Sequence, residues 1–150
     1  MMQIDNLDKQ IINFLILDGE MSNAEIAKKL NVSPGTIHLR IKHLKKAGII
    51  IGHSLKVDYA ELGYETSAFV AVYLKRSNMY VKVVNELKMY DEVLSIDYVT
   101  GAFNILIQVL CRDNEHLHEL LHEQIQEIDG VEKTESYISL YTSLDRSKTI

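Results

Sequence analysis

Apolar side chains recur along residues 5 to 48 at the spacing of three short helices. Leu7, Ile11, Phe14 and Leu15 fall at i, i+4, i+7 and i+8, one face of a helix that Gly19 closes. Ile26, Ala27 and Leu30 give the next helix its apolar side. It opens on Ser22 with Glu25 three residues on, a capping box in which each side chain satisfies the other's free backbone N–H. The third starts at Ser33 as N-cap, with Pro34 at the first helical position, where a missing N–H costs nothing, and Gly48 just past its end. Ile37, Ile41 and Leu44 form its buried stripe. Only Asn31 and Val32 separate the second helix from that cap, so the two helices must cross steeply, as a helix-turn-helix with the first helix packed behind.

Beyond Gly48 the period changes. IIIGHSLKV, residues 49–57, reads as a strand with Gly52 as a bend, and residues 58–63 as a hinge. Two βαβ-like blocks follow. The first has a strand at 68–75, a helix at 79–89 with Val83, Val84 and Leu87 inward, and a strand at 93–100. The second has a strand at 103–111, a helix at 115–128 with Leu117, Leu120, Leu121, Ile125 and Ile128 on one face, and a strand at 131–141. Arg76 and Asn78 of the first block match Arg112 and Asn114 of the second, and YDEV matches IDGV. The doubling predicts a ferredoxin-like βαββαβ sandwich, with four antiparallel strands and both helices on one face. The fold class is therefore α+β, with a helix-turn-helix domain over 1–52, a linker strand and hinge over 53–65, and the sandwich over 66–150.

In the strand at 68–75, Phe69, Ala71 and Tyr73 oppose Val70, Val72 and Leu74; in that at 103–111, Ile105, Ile107 and Val109 oppose Leu106 and Leu110. Both sheet faces are apolar, yet helices cover one. A partner sheet on the other face predicts a homodimer, which would also pair two third helices for a two-fold DNA site.

Charge adds a function to the first half. The chain of 150 residues carries a net charge of -5, but residues 1–60 hold eight Lys/Arg against six Asp/Glu, and residues 61–150 hold eight against fifteen. Between Glu25 and Asp58 lie 32 residues without a carboxylate, holding seven of the sixteen basic side chains. A solvated helix face would mix signs; this is a footprint for a polyanion. On the third helix Gly35, Leu39, Lys42 and Lys46 point away from the buried stripe, with His38 and Lys45 beside them. Leu39 can meet a thymine methyl, while Thr36 and His38 can bond base edges and Gly35 lets the first turn approach closely. Lys42, Lys45 and Lys46 reach phosphates, as do the free amides near Ser33 and Thr36; Arg40 completes the DNA-binding set. The partner predicted here is double-stranded DNA.

Other features exclude more than they add. The lone Cys111, in the apolar run ILIQVLC, reads as core filling and has no partner for an internal disulfide. No N-terminal signal and no run of eighteen apolar residues appears, so a cytoplasmic location without membrane contact is expected. HELLH, residues 118–122, matches the zinc-protease signature, with His118 and His122 on one side of a helix and Glu119 of the right type for a general base. No G-x-x-H follows, since Ile125 stands where Gly is wanted, so these histidines, with His116, are read as exposed or dimer-contact residues and no metal is expected.

Taken together, IDNLDKQII, SNAEIAKKLNVSPGTIHLRIKHLKKAGII, LGY and YVTGAFN, in that order, resemble the Lrp/AsnC family of transcription regulators; SPGTIH and IDGVEKTES are most similar to its AsnC branch. The resemblance covers about residues 5 to 145. It implies a winged-helix-type DNA-binding domain, an amino-acid-sensing C-terminal domain, dimers that assemble into octamers or related rings, and a regulator rather than an enzyme. It implies an amino-acid effector, asparagine first and no other cofactor, at Tyr98, Thr100, Gly101, Ala102, Phe103, Asn104, Tyr137, Ile138 and Ser139. A Gly-containing turn exposes amides that suit an α-carboxylate, and the Asn104 oxygen would accept from an α-ammonium; many family members carry Asp there. Siroheme decarboxylases, which share the two-domain fold, are the alternative enzyme reading. Their large tetrapyrrole would require a basic pocket that the acidic second half does not offer.

Overall fold

The computed structural model describes residues 3–150 and divides the chain into two compact units, one of residues 1–56 with 144–150 and one of residues 57–143. The first holds α1 (Asn6–Leu17), α2 (Asn23–Leu30) and α3 (Pro34–Lys46). Each helix starts where its sequence supplies a cap. In α2, Ser22 Oγ accepts from the Glu25 amide at 3.2 Å and Glu25 accepts from the Ser22 amide at 2.9 Å. Ser33 Oγ accepts from the Thr36 amide at 3.1 Å to open α3. A second capping box, which sequence reading missed, joins Asp5 and Asp8 at the start of α1. Asn31 ends α2 in the left-handed region at φ 54°, a conformation Asn tolerates, and this is what makes the two-residue turn into α3 so tight. Ile11, Ile26, Ala27 and Ile37 form the buried centre, ringed by Leu7, Phe14, Leu15, Met21, Leu30, Val32 and Ile41.

The expected strand over 49–57 does not form. Residues 51–58 run without regular structure, and Ile51 is 94% exposed. A strand needs a ladder, and among the described residues no strand pairs with the segment.

In the second unit β1 (Thr66–Leu74), β2 (Val93–Tyr98), β3 (Ile105–Cys111) and β4 (Val131–Ile138) form one antiparallel sheet in the order β2-β3-β1-β4. α4 (Tyr80–Leu87) and α5 (Asn114–Glu119), the latter continued by a π-helical turn over Leu120–Ile125, supply the residues that pack on one face. This is the expected sandwich. Val70, Val72, Ile105, Ile107 and Val109 meet Val83, Leu87, Leu117, Leu120 and Ile125 there, all buried. Cys111 joins them, and burial pushes its thiol up to about 11, as a core residue rather than a nucleophile.

Among the described residues no helix lies over the opposite face. Phe69 and Tyr137 stay exposed, Tyr73, Leu106 and Leu110 half-buried. At its β1–β4 side, Glu135 accepts from Tyr73 Oη at 3.1 Å, from Tyr137 Oη at 3.3 Å and from Lys133 Nζ at 2.8 Å. The Lys133 ammonium, then the Tyr73 hydroxyl, hold the Glu135 carboxyl below its usual range.

Candidate nucleic-acid interface and effector turn

α3 presents its outward residues as its periodicity predicts. Gly35, His38, Leu39, Lys42, Lys45 and Lys46 are exposed, and Ile37 and Leu44 are buried. Leu39 keeps 54% of its surface in water, a cost that a monomer in solution gains nothing from. Lys42, Lys45 and Lys46 make no ion pair among the described residues, so their charge is free to meet phosphate. The other members of the sequence-derived set have different occupations. Ser33 and Thr36 bond each other through their hydroxyls at 2.9 Å as part of the helix cap, and Thr36 is half-buried.

Arg40 turns away from this face. Its guanidinium donates to Asp8 Oδ1 at 3.1 Å and to Asp5, tying α3 to the first turn of α1. The reason is its spacing: three residues after Ile37 and four before Leu44, it lies along the buried stripe. The Asp8 side chain is 2% exposed, so the pair answers a buried carboxylate rather than decorating the surface. The Asp8 amide, then the Arg40 guanidinium, hold the Asp5 carboxyl below its ordinary value. That contribution is present above the ordinary carboxylate range and is lost as pH falls through the depressed value. Arg40→Met is expected to cost about 1–2 kcal/mol, since Asp8 loses its cation while a third-exposed guanidinium is partly screened. Thermal unfolding beside a DNA titration checks this: a lower Tm with near-normal affinity fits the tie to α1, and the reverse fits a DNA contact.

Residues 99–104 join β2 to β3 in a turn closed by the Val99 amide donating to the Asn104 carbonyl at 3.0 Å. Thr100, Gly101 and Ala102 are exposed, and Gly101 sits at φ +135°. The amides of residues 100–103 have no backbone acceptor among the described residues, so the turn offers a cluster of free donors. Phe103 lies edge-on to the Tyr73 ring, 5.9 Å between centroids. Asn104 does not leave its oxygen free: Oδ1 accepts from the Leu74 amide at 3.1 Å, at the bulge where β1 slips against β4. One lone pair of that oxygen remains for a ligand.

The remaining effector candidates are not gathered at this turn. Tyr98 stacks edge-on to Tyr80 of α4, at 4.7 Å, on the helix-covered side of edge strand β2. Tyr137 lies on the open face of the other edge strand. Ile138 pairs with Ala68, and the Ser139 amide donates to the Ser67 carbonyl at 2.8 Å, at the start of β1, whereas Asn104 meets the end of that strand. Seven residues of strand separate the two ends, roughly 23 Å at about 3.3 Å per residue. Within one chain the candidate residues thus fall into two separate groups, 137–139 at the start of β1 and the 99–104 turn at its end, each at most a half-site.

HELLH crosses the junction between α5 and its π-helical continuation. Leu120 and Leu121 are in the core, while the exposed His118 and His122 rings lie 4.4 Å apart. Among the described residues no third histidine, cysteine or carboxylate joins them into a metal-holding group. His116 is not free but half-buried, its Nε2 3.1 Å from Glu92.

Known proteins are similar to the chain over both units. Residues 67–149 match the Lrp/AsnC ligand binding domain, and residues 4–51 match a winged helix-turn-helix DNA-binding domain. The chain is 38% identical over 146 residues to Regulatory protein AsnC of Haemophilus influenzae, covering 97% of each. It is 39% identical over 144 residues to Regulatory protein AsnC of Escherichia coli, covering 96% of this chain and 95% of that one. The structure of E. coli AsnC superposes with a TM-score of 0.93 at 37% identity, covering 99% of this chain and 100% of the other.

Proposed function

The chain belongs to the Lrp/AsnC family, as a DNA-binding transcription regulator with a ligand-binding domain, and from that premise we propose that asparagine, bound at the 99–104 turn, sets how copies of the chain assemble on DNA. α3 enters the major groove through Gly35, His38 and Leu39, and Lys42, Lys45 and Lys46 reach phosphates. The observation that carries this reading is the unpaired, carboxylate-free outer face of α3. Arg40 is left out of the contact set because its charge is already used. The enzyme alternatives gain no support, since the relatives are named as regulators.

The effector half rests on the free amides beside Gly101, which suit an α-carboxylate, and on the similarity of SPGTIH and IDGVEKTES to the AsnC branch. Dimerisation through the open sheet face, and octamers of those dimers, would bring the half-sites of different copies together, which supports placing the effector between chains. A ligand alters DNA affinity only if it prefers one assembly state over another.

Fluorescence anisotropy on duplex DNA across a salt series tests the DNA half. Lys42→Ala and Lys46→Ala should each weaken binding to all sequences alike and reduce the slope of log affinity against log salt by about 0.9. His38→Ala should instead narrow the gap between specific and shuffled duplexes. Salt-insensitive binding by the wild type would contradict the reading. Calorimetry with asparagine, beside sedimentation with and without it, tests the effector half.

A further inference from the structure

We propose that His53 is a DNA-contacting residue, and that it forms with Lys42 and Lys45 a seat for one backbone phosphate beside the recognition helix. This rests on the DNA-binding reading and extends the interface beyond α3. These three side chains, with Asn23 and the base-reading His38, line a single concavity of about 380 Å³ whose remaining walls are Leu15, Gly19, Met21 and Ile41. No carboxylate lines it. Neither Lys42 nor Lys45 makes an ion pair among the described residues, so their charge is not answered within the unit. The apolar floor lowers the local dielectric, which strengthens attraction for an anion.

The placing of His53 is built into the chain's path. The Ile49 and Ile50 amides both donate to the Leu44 carbonyl, at 3.0 and 3.3 Å, which turns the chain back after α3. Residues 49–53 then line a shallow cleft with Ile12, Leu15 and Ile16 of α1. At the turn between α1 and α2, Gly19 has no side chain, and a Cβ there would stand 3.8 Å from His53 Nδ1. The imidazole thereby reaches the same concavity as His38, fifteen residues earlier in sequence and on a different element. Because His38, Lys42 and Lys45 of α3 line the same concavity, a polyanion held along that side of the helix comes within reach of His53. The group that fits is a phosphodiester, because Lys42, Lys45 and His53 bring donors to one lining that holds no carboxylate.

The test uses the full chain and two labelled duplexes of equal length, one enriched by the wild type from a random pool and one shuffled. His53→Ala should weaken both by the same factor, about three- to tenfold at low salt, and His53→Gln, which keeps a donor, by less. Gly19→Val, which crowds the imidazole, should act in the same direction. Circular dichroism should be unchanged, as His53 is exposed. Inorganic phosphate at matched ionic strength should displace DNA no better than chloride does; specific displacement would assign the seat to a free anion and overturn the proposal. Wild-type-like affinity of His53→Ala for both duplexes would overturn it too, leaving the α3 reading standing. A wild type that binds neither duplex would remove both.

Discussion

Gly101→Val is expected to lower asparagine affinity by about a hundredfold while leaving folding and basal DNA affinity close to wild type. The cause is conformational. Gly101 holds φ +135°, a region closed to branched side chains, and strain of about 1–3 kcal/mol would drive the 99–104 turn into another shape. The free amides of residues 100–103 would then no longer converge on one carboxylate. A Cβ at this position meets nothing within 4 Å, so the substitution has no core contact through which to unfold the sheet. α3 is in the other unit and keeps its residues. Calorimetric titration with asparagine and anisotropy on DNA separate the two effects. Equal binding by Gly101→Val and wild type would move the effector away from this turn. Asn104→Asp gives the converse check: a carboxylate can still accept from the Leu74 amide and adds a negative charge for the ammonium, so affinity should rise.

Gly130→Ala should destabilise the second unit by about 2–5 kcal/mol, combining backbone strain with overpacking. Gly130 has φ +114°, and an added Cβ would stand 2.9 Å from Val83 Cγ2 and 3.0 Å from Met79 Cβ, both fixed by the α4 region packed above. Its carbonyl accepts from the Lys75 amide at 2.9 Å, so a shift of the backbone to escape the clash would also loosen the join between β1 and β4. Val83→Ala removes the nearest atom but not the φ strain, so the double variant should recover only part of the loss. Urea unfolding followed by circular dichroism measures this, and an unchanged midpoint for Gly130→Ala would refute it.

Those two glycines mark where the sequence stops being legible. Their one-letter code says that a left-handed conformation is affordable, but not that Gly130 faces a helix or that Gly101 faces water; only the packed structure decides that. The three helices were readable because their caps and apolar stripes are local, with Ser22 and Glu25 three positions apart. The sandwich was readable because alternation such as Phe69, Ala71 and Tyr73 against Val70 and Val72 records which face each strand buries. Arg40 was misplaced because its partners, Asp5 and Asp8, lie more than thirty residues away in sequence. A separation of thirty residues hid the pairing of Asn104 Oδ1 with the Leu74 amide. The segment at 49–57 failed for the opposite reason: it has the composition of a strand, but composition does not say whether a neighbour exists. His53 gave no signal at all, since a lone histidine after a glycine has no periodicity.

The separation of the 99–104 turn from residues 137–139 has a signature in inheritance. If the effector is held between copies, a chain carrying Gly101→Val and a chain carrying a defect at Tyr137 each spoil a different half. Expressed alone, either gives a regulator deaf to its effector. Expressed together, the two alleles complement: mixed assemblies contain junctions where an intact turn from one chain faces an intact strand end from the other, and some response returns without any wild-type polypeptide. A pocket confined to one chain could never show this, because every copy would then carry its own lesion. Such a partition also makes a damaged allele partly dominant, since each defective chain spoils a junction belonging to its healthy neighbour.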